Sequence, residues 1–270
     1  MPRRDESIPK SVTESLLGSG FPFQTAVRNE ICLLKGWSIH TSEYPWRGQR
    51  DEDRFLDMIA SYKNFVLTIE CKKTRQDTLT FLDPASGQMP TPQTADYRCL
   101  SYQHFTVVTR HQDATCETWA VWPSSPSCEF CIVGTNKSDR LLERDASLII
   151  RATEALIHDV REMSHLSKKL SLPFLFLPVI VTNARLFVAH YKPTDVALDS
   201  GEFKELPNNI ESAPWVRFSK AFTTSEKRDF ANRSVFVVGA SYLKEFLDNL
   251  ELAPNQPKDK MPVRFASGAS

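Results

Sequence analysis

Residues 55–73 read FLDMIASYKNFVLTIECKK, two apolar runs parted by Ser-Tyr-Lys-Asn and each interrupted by an acid. Their length and apolar content predict two strands joined by a turn at residues 61–64. Side chains alternate along a strand, so Val66, Thr68, Glu70 and Lys72 share one face while Leu67, Ile69 and Cys71 share the other. A hairpin folded at 61–64 brings Asp57, in the middle of FLDMIA, toward Glu70. Burying an unpaired carboxylate is costly, and two facing carboxylates repel. A divalent cation removes that conflict, and hard oxygen donors from Asp57 and Glu70 suit Mg²⁺ or Mn²⁺.

Upstream, FPFQTAVRNEICLLKGW (21–37) places Phe23, Val27, Glu30 and Leu34 on one helical stripe, with Gly36 as a stop signal. Glu30 on that inward stripe is a candidate accessory ligand, at the same metal or a second one. WSIHTSEYPW (37–46) alternates as a strand, and RGQRDEDR (47–54) is a charged turn. The opening order is therefore helix, strand, strand, strand.

Downstream, residues 75–138 are rich in Thr, Gln, Asp, Pro and Ser and predict an insertion or small subdomain. A long amphipathic helix follows over about 139–166, with Leu141, Leu148, Ala152, Leu156 and Met163 on one side. LFLPVIVTN (175–183) and RLFVAHY (185–191) predict a hairpin of buried strands joined near Asn183-Ala184. PWVRFSKAF, SVFVVGA and the short amphipathic helix SYLKEFLDNL complete a chain of α/β class. Residues 1–18 and 251–270 predict loose ends around one domain over 19–250.

The order helix, three strands, with Asp57 and then Glu70-Cys71-Lys72, resembles the PD-(D/E)xK nuclease superfamily and its restriction-endonuclease-like core. The likeness covers roughly residues 19–74 and 139–192, where a long helix followed by a strand completes the family core. Residues 75–138 then stand as an insertion carrying cysteines and 193–250 as a C-terminal extension. Leu56 precedes Asp57 where the family pattern has Pro.

The resemblance implies a mixed sheet flanked by helices and a Mg²⁺- or Mn²⁺-dependent hydrolase of phosphodiester bonds, in DNA rather than RNA. It also implies a prokaryotic defence or repair setting. Asp57 and Glu70 would hold the metal, and Lys72 would position the attacking water and offset charge on the phosphate. Glu30 would match the acid that some members carry on the first helix. The rival is a catalytically inactive member of the same fold that binds nucleic acid or protein, and three costly groups kept together argue against it. Many nucleases of this fold cut as homodimers, but no stretch here marks a dimer face.

Lys and Arg together number 33, as do Asp and Glu, so no global positive field holds nucleic acid and any contact must be a local patch. Arg47, Arg50, Arg54, Lys73 and Arg75 flank the candidate site and could steer a phosphate backbone. For the 47–54 loop the plainer reading, solvated arginines paired with Asp51, Glu52 and Asp53, weighs about as much. Trp46, Trp119, Trp122 and Trp215 could stack bases, although packing is the commoner use of such residues. Four of the six cysteines, Cys99, Cys116, Cys128 and Cys131, fall in 75–138, the last two as CEFC. A structural Zn²⁺ site is one reading, and buried unligated thiols are the favoured one. Cys32 and Cys71 read as small core residues. The apolar segment LPFLFLPVIV is interrupted by Pro173 and Pro178 and is too short to span a bilayer, so the expectation is a soluble cytoplasmic protein. No GxxxxGK[ST] phosphate loop is present.

Overall fold

The computed structural model describes residues 10–47, 52–62, 65–74, 77–84, 107–108, 113–116, 120–121, 125–128, 130–132, 141–167, 174–223, 230–252 and 263–265. Its helices are α1 (Lys10–Gly18), α2 (Phe21–Leu33), α3 (Leu141–Ser167) and α4 (Leu243–Asp248). The first strands are β1 (Ser38–Arg47), β2 (Asp53–Tyr62), β3 (Phe65–Lys72) and β4 (Thr78–Pro84). Short strands β5 (Val107–Val108), β6 (Asp113–Cys116), β7 (Ala120–Val121), β8 (Ser127–Cys128) and β9 (Phe130–Ile132) follow. Then come β10 (Phe174–Thr182), β11 (Arg185–Tyr191), β12 (Asn209–Ala213), β13 (Trp215–Thr223), β14 (Phe230–Gly239), β15 (Glu251–Leu252) and β16 (Val263–Phe265).

The larger sheet runs β1-β2-β3-β10-β14-β13-β8, with β5, β6 and β16 attached beside it. β1, β2 and β3 are an antiparallel meander, and the chain then returns through α3 to lay β10 parallel to β3. Helices cover both faces. On one, Val27 and Ile31 of α2 and Leu243, Phe246 and Leu247 of α4 pack against Met58, Leu67, Ile69 and Val179. On the other, Ala146, Ile149, Ala152 and Leu156 of α3 pack against Leu56, Val66, Phe176 and Ile180. The alternation predicted for β3 thus becomes a division between two cores, with Leu67 and Ile69 facing α2, and Val66 facing α3. The chain is α/β, with mixed sheets flanked by helices.

Gly36 ends the α2 segment with φ +87°, and a Cβ there would lie 3.0 Å from Tyr62 Cε2, so glycine is needed for both the turn and the close approach. One turn earlier, Cys32 is exposed, contrary to its reading as core, because it follows buried Ile31 and lies about 100° round the helix from it. Residues 10–18, expected as a loose end, form α1, and β15 and β16 lie in the expected tail, paired with β7 and β6. Pro and polar content says little about two- or three-residue ladders.

The predicted hairpin of 175–191 is not formed. β10 already has parallel partners on both edges, β3 and β14, so β11 has no edge to join and passes into a second sheet ordered β12-β11-β4-β9. β4 makes the same passage from β3, and it pairs parallel with β11. The two chains change sheet side by side. The Thr74 N–H donates to Asn183 Oδ1 at 2.7 Å and Asn183 Nδ2 donates to the Thr74 carbonyl at 3.1 Å, so the asparagine side chain stands in for a missing rung. Leu79, Phe81, Cys128 and Cys131, all from the segment read as an insertion, share the α3-side core, so these parts of the segment are built into the molecule's main packing.

Candidate functional site

β2 and β3 pair from Tyr62↔Phe65 up to Met58↔Ile69, which sets Asp57 and Glu70 at the next rung. There the regular ladder stops. The Asp57 side chain takes over, its Oδ2 accepting the Cys71 N–H at 2.6 Å, while its carbonyl accepts Gln24 Nε2 of α2 at 3.0 Å. A backbone hydrogen bond from Asp57 reaches the Glu70 carboxylate. The two acids predicted to meet do meet.

Their surroundings push both toward the neutral form. Burial holds the Asp57 carboxyl above its usual range, and Glu43 adds to this, while the Cys71 N–H and Lys72 act against it. Burial likewise pushes Glu70 up to about 8, with Asp57 and Asp145 adding repulsion that Lys72 and the Asp57 backbone only partly offset. The Cys71 thiol is held well above its ordinary value by burial and by the two acids, so it stays a protonated thiol rather than a nucleophile.

Lys72 lies on the Glu70 face of β3 but reaches to α3, its Nζ 2.6 Å from Asp145 Oδ2. Asp145 and Glu43 are the acids that sequence reasoning missed. Asp145 had a readable signal, since it falls four residues after Leu141 and three before Leu148 on the apolar stripe of the long helix. Glu43 had none. It stands across from Asp57, between the rungs Ser42↔Met58 and Tyr44↔Leu56, with φ +59°, a left-handed conformation that costs a non-glycine residue on the order of 1 kcal/mol.

Glu30 is half-buried on α2, and its charge is felt by Lys244 of α4, while the charges felt by Asp57 or Glu70 include Glu43, Asp145 and Lys72. Buried Val27, Ile31 and Leu34 centre the stripe, which leaves Glu30 on its shoulder toward α4. The α2 residue that reaches the site is Gln24.

A cleft of about 150 Å³ opens beside Glu70, walled by Trp46, Arg54, Leu56, Leu148 and Ile149. Trp46 is buried and packs, and the Arg54 guanidinium lies 6.0 Å from its ring centroid while bonding Glu52 Oε1 at 2.7 and 2.9 Å. Arg54 is thus paired with Glu52 and also lines the cleft. Arg47 is exposed at the end of β1, and exposed Lys73 donates to the Ser19 carbonyl at 3.1 Å. Arg50 and Arg75 lie outside the described residues, as does Cys99. Cys116 sits on β6, paired with β16, whereas Cys128 and Cys131 are buried on β8 and β9. Burial, with Asp83 adding to it, pushes the Cys128 thiol up to about 12, so in the metal-free protein it is a protonated thiol.

The donor set bears on which metal could be held. Among the described residues no three His, Cys, Asp or Glu side chains come together as a ligand group. Asp57 and Glu70 offer two carboxylates on adjacent strands, which suits Mg²⁺ or Mn²⁺, ions that retain waters and take substrate oxygens, and does not suit structural Zn²⁺. No helix among the described residues is long and apolar enough to cross a membrane. Compared with protein-family models, curated proteins and solved structures, the chain matches none.

Proposed function

We propose that the protein is a divalent-metal-dependent nuclease that hydrolyses phosphodiester bonds, with DNA as the first substrate to test and Asp57, Glu70 and Lys72 as its catalytic residues. The observation that carries this reading is the meeting of Asp57 and Glu70, half-buried on adjacent strands at the rung where the ladder breaks, with Lys72 on the same face as Glu70. Support also comes from the path of the chain, in which a helix, a three-strand antiparallel meander, a crossover helix and a strand parallel to the third follow in the order of the restriction-endonuclease-like core.

A Mg²⁺ or Mn²⁺ ion held by Asp57 and Glu70 would polarise the phosphoryl oxygen and lower the pKa of a bound water. The chain's own residues do the rest. The Cys71 N–H and Gln24 fix the Asp57 side chain and backbone, so the first carboxylate is oriented before substrate arrives. Lys72 presents an ammonium to the negative charge that grows on the phosphate. The apolar walls of the cleft, Leu56, Leu148 and Ile149, exclude water around Glu70 and strengthen these interactions.

Cleavage of labelled plasmid, linear duplex, single-stranded DNA and RNA with Mg²⁺ or Mn²⁺ tests the proposal. The expected result is metal-dependent cleavage lost in folded Glu70→Ala and Lys72→Ala. Equal cleavage by the variants would overturn the site. No cleavage of any substrate with either metal would leave the inactive, binding member of the fold as the better reading.

A further inference from the structure

We propose that Asp145 is a positioning residue that holds the Lys72 ammonium off the Asp57–Glu70 pair and so keeps those two carboxylates available for the cation; this rests on the nuclease reading above.

The contact is asymmetric. Asp145 is the buried partner, its side chain 12% exposed against 36% for Lys72. Its neighbours on α3, Ala146 and Ile149, are packed in the core, so the carboxylate is the fixed end and the lysine the movable one. A lysine is a point charge on a four-carbon flexible stem, and β3 by itself fixes only where that stem begins. The nearest anion along the strand is Glu70, two residues back on the same face, and Asp57 stands at Glu70's rung.

Left to those two, Lys72 would neutralise the proposed ligands. Asp145 Oδ2, at 2.6 Å, draws it to the helix instead. That oxygen is buried and makes no well-angled hydrogen bond among the described residues, so its stabilisation comes from the ammonium's charge. An ammonium has three N–H donors, and with none committed to a well-angled bond to Asp145 they stay available to a phosphate oxygen or water.

The test is a double-mutant cycle on the full chain, read by Mn²⁺ affinity and by kcat and KM for cleavage, with circular dichroism confirming each fold. Asp145→Asn should weaken Mn²⁺ binding about tenfold, because released Lys72 then competes for Glu70, and the same change in a Lys72→Met background should do nothing. In cleavage, Asp145→Asn should lower kcat about tenfold to a hundredfold with KM little changed and Asp145→Glu should recover part of it, while the Lys72→Met background, which does not cleave, is read by Mn²⁺ affinity alone.

Weakening of Mn²⁺ binding that persists in Lys72→Met would make Asp145 a ligand and overturn the proposal. So would unchanged affinity and kcat in Asp145→Asn. If the wild type binds Mn²⁺ but cleaves nothing, the nuclease reading fails while the affinity cycle still decides what Asp145 does. A wild type that binds no Mn²⁺ overturns both.

Discussion

Two clusters of charge sit in the two sheets, each near a pair of parallel strands, and they are built on opposite principles. In the second sheet His190 of β11 lies between Asp83 of β4 and Glu211 of β12, its Nδ1 2.9 Å from one carboxylate and its Nε2 3.1 Å from the other. All three are partly exposed on regular ladders, and each carboxylate has the imidazole as its partner. In the first sheet Asp57 and Glu70, both partly exposed, meet where a ladder breaks, and the Lys72 ammonium is drawn to a third acid. A satisfied cluster staples strands together. Two partly buried carboxylates side by side, each pushed toward its neutral form, carry a cost that strand pairing alone does not explain, which is why the proposed chemistry is assigned there and not to His190.

The largest expected contrast is catalytic. Asp57→Ala or Glu70→Ala should reduce cleavage by about a thousandfold or more, a loss in the range seen when one strong electrostatic contributor is removed, while His190→Gln should leave it unchanged. An effect of His190→Gln as large as that of Glu70→Ala would erase the distinction between the clusters.

Next is a pH effect on the metal-free protein. Glu70 is raised from 4.5 to about 8 on folding, so the folded state binds the extra proton and loses stability as pH rises through that window. Asp57 is shifted in the same sense. Urea unfolding at several pH values should show stability falling by a few kcal/mol between about pH 5 and pH 8, and Glu70→Gln should flatten much of that slope. A slope unchanged by Glu70→Gln would mean the acid is not strained.

A smaller effect is expected beneath the site, where the buried Thr68 and Thr153 hydroxyls meet at 2.6 Å between β3 and α3. Thr153→Val leaves Thr68 with a poorer partner and should cost about 1–3 kcal/mol, while the double change to Val should recover part of it. Chemical unfolding of the three variants checks this. The least effect belongs to the second sheet, where His190→Gln should cost no more than about 1 kcal/mol, as partly exposed ion pairs do.

Much of the first sheet was legible because period and charge agreed. In residues 55–73 alternation assigned Leu67 and Val66 to opposite faces, and a turn at 61–64 implied that Asp57 would meet Glu70. Asp145 was present in the same kind of signal, an acid on an apolar stripe. What could not be read was set by partners distant in sequence. The change of sheet at Asn183 depends on β10 having both edges occupied, by β3 and by β14, and nothing in LFLPVIVTN records that. Glu30 stands on the shoulder of its stripe, where a side chain's surroundings depend on the helix packed beside it, here α4 with Lys244. Glu43 depends on a left-handed residue within a strand, which no alternation pattern announces.

Calorimetric titration of Mn²⁺ into wild type, Asp57→Asn and Glu70→Gln near pH 7 tests whether a divalent cation resolves the conflict between Asp57 and Glu70. One ion should bind the wild type, with a proton released as Glu70 ionises, and binding should be lost or weakened by about a hundredfold in either variant. Equal binding by all three proteins, or none by the wild type, would contradict it.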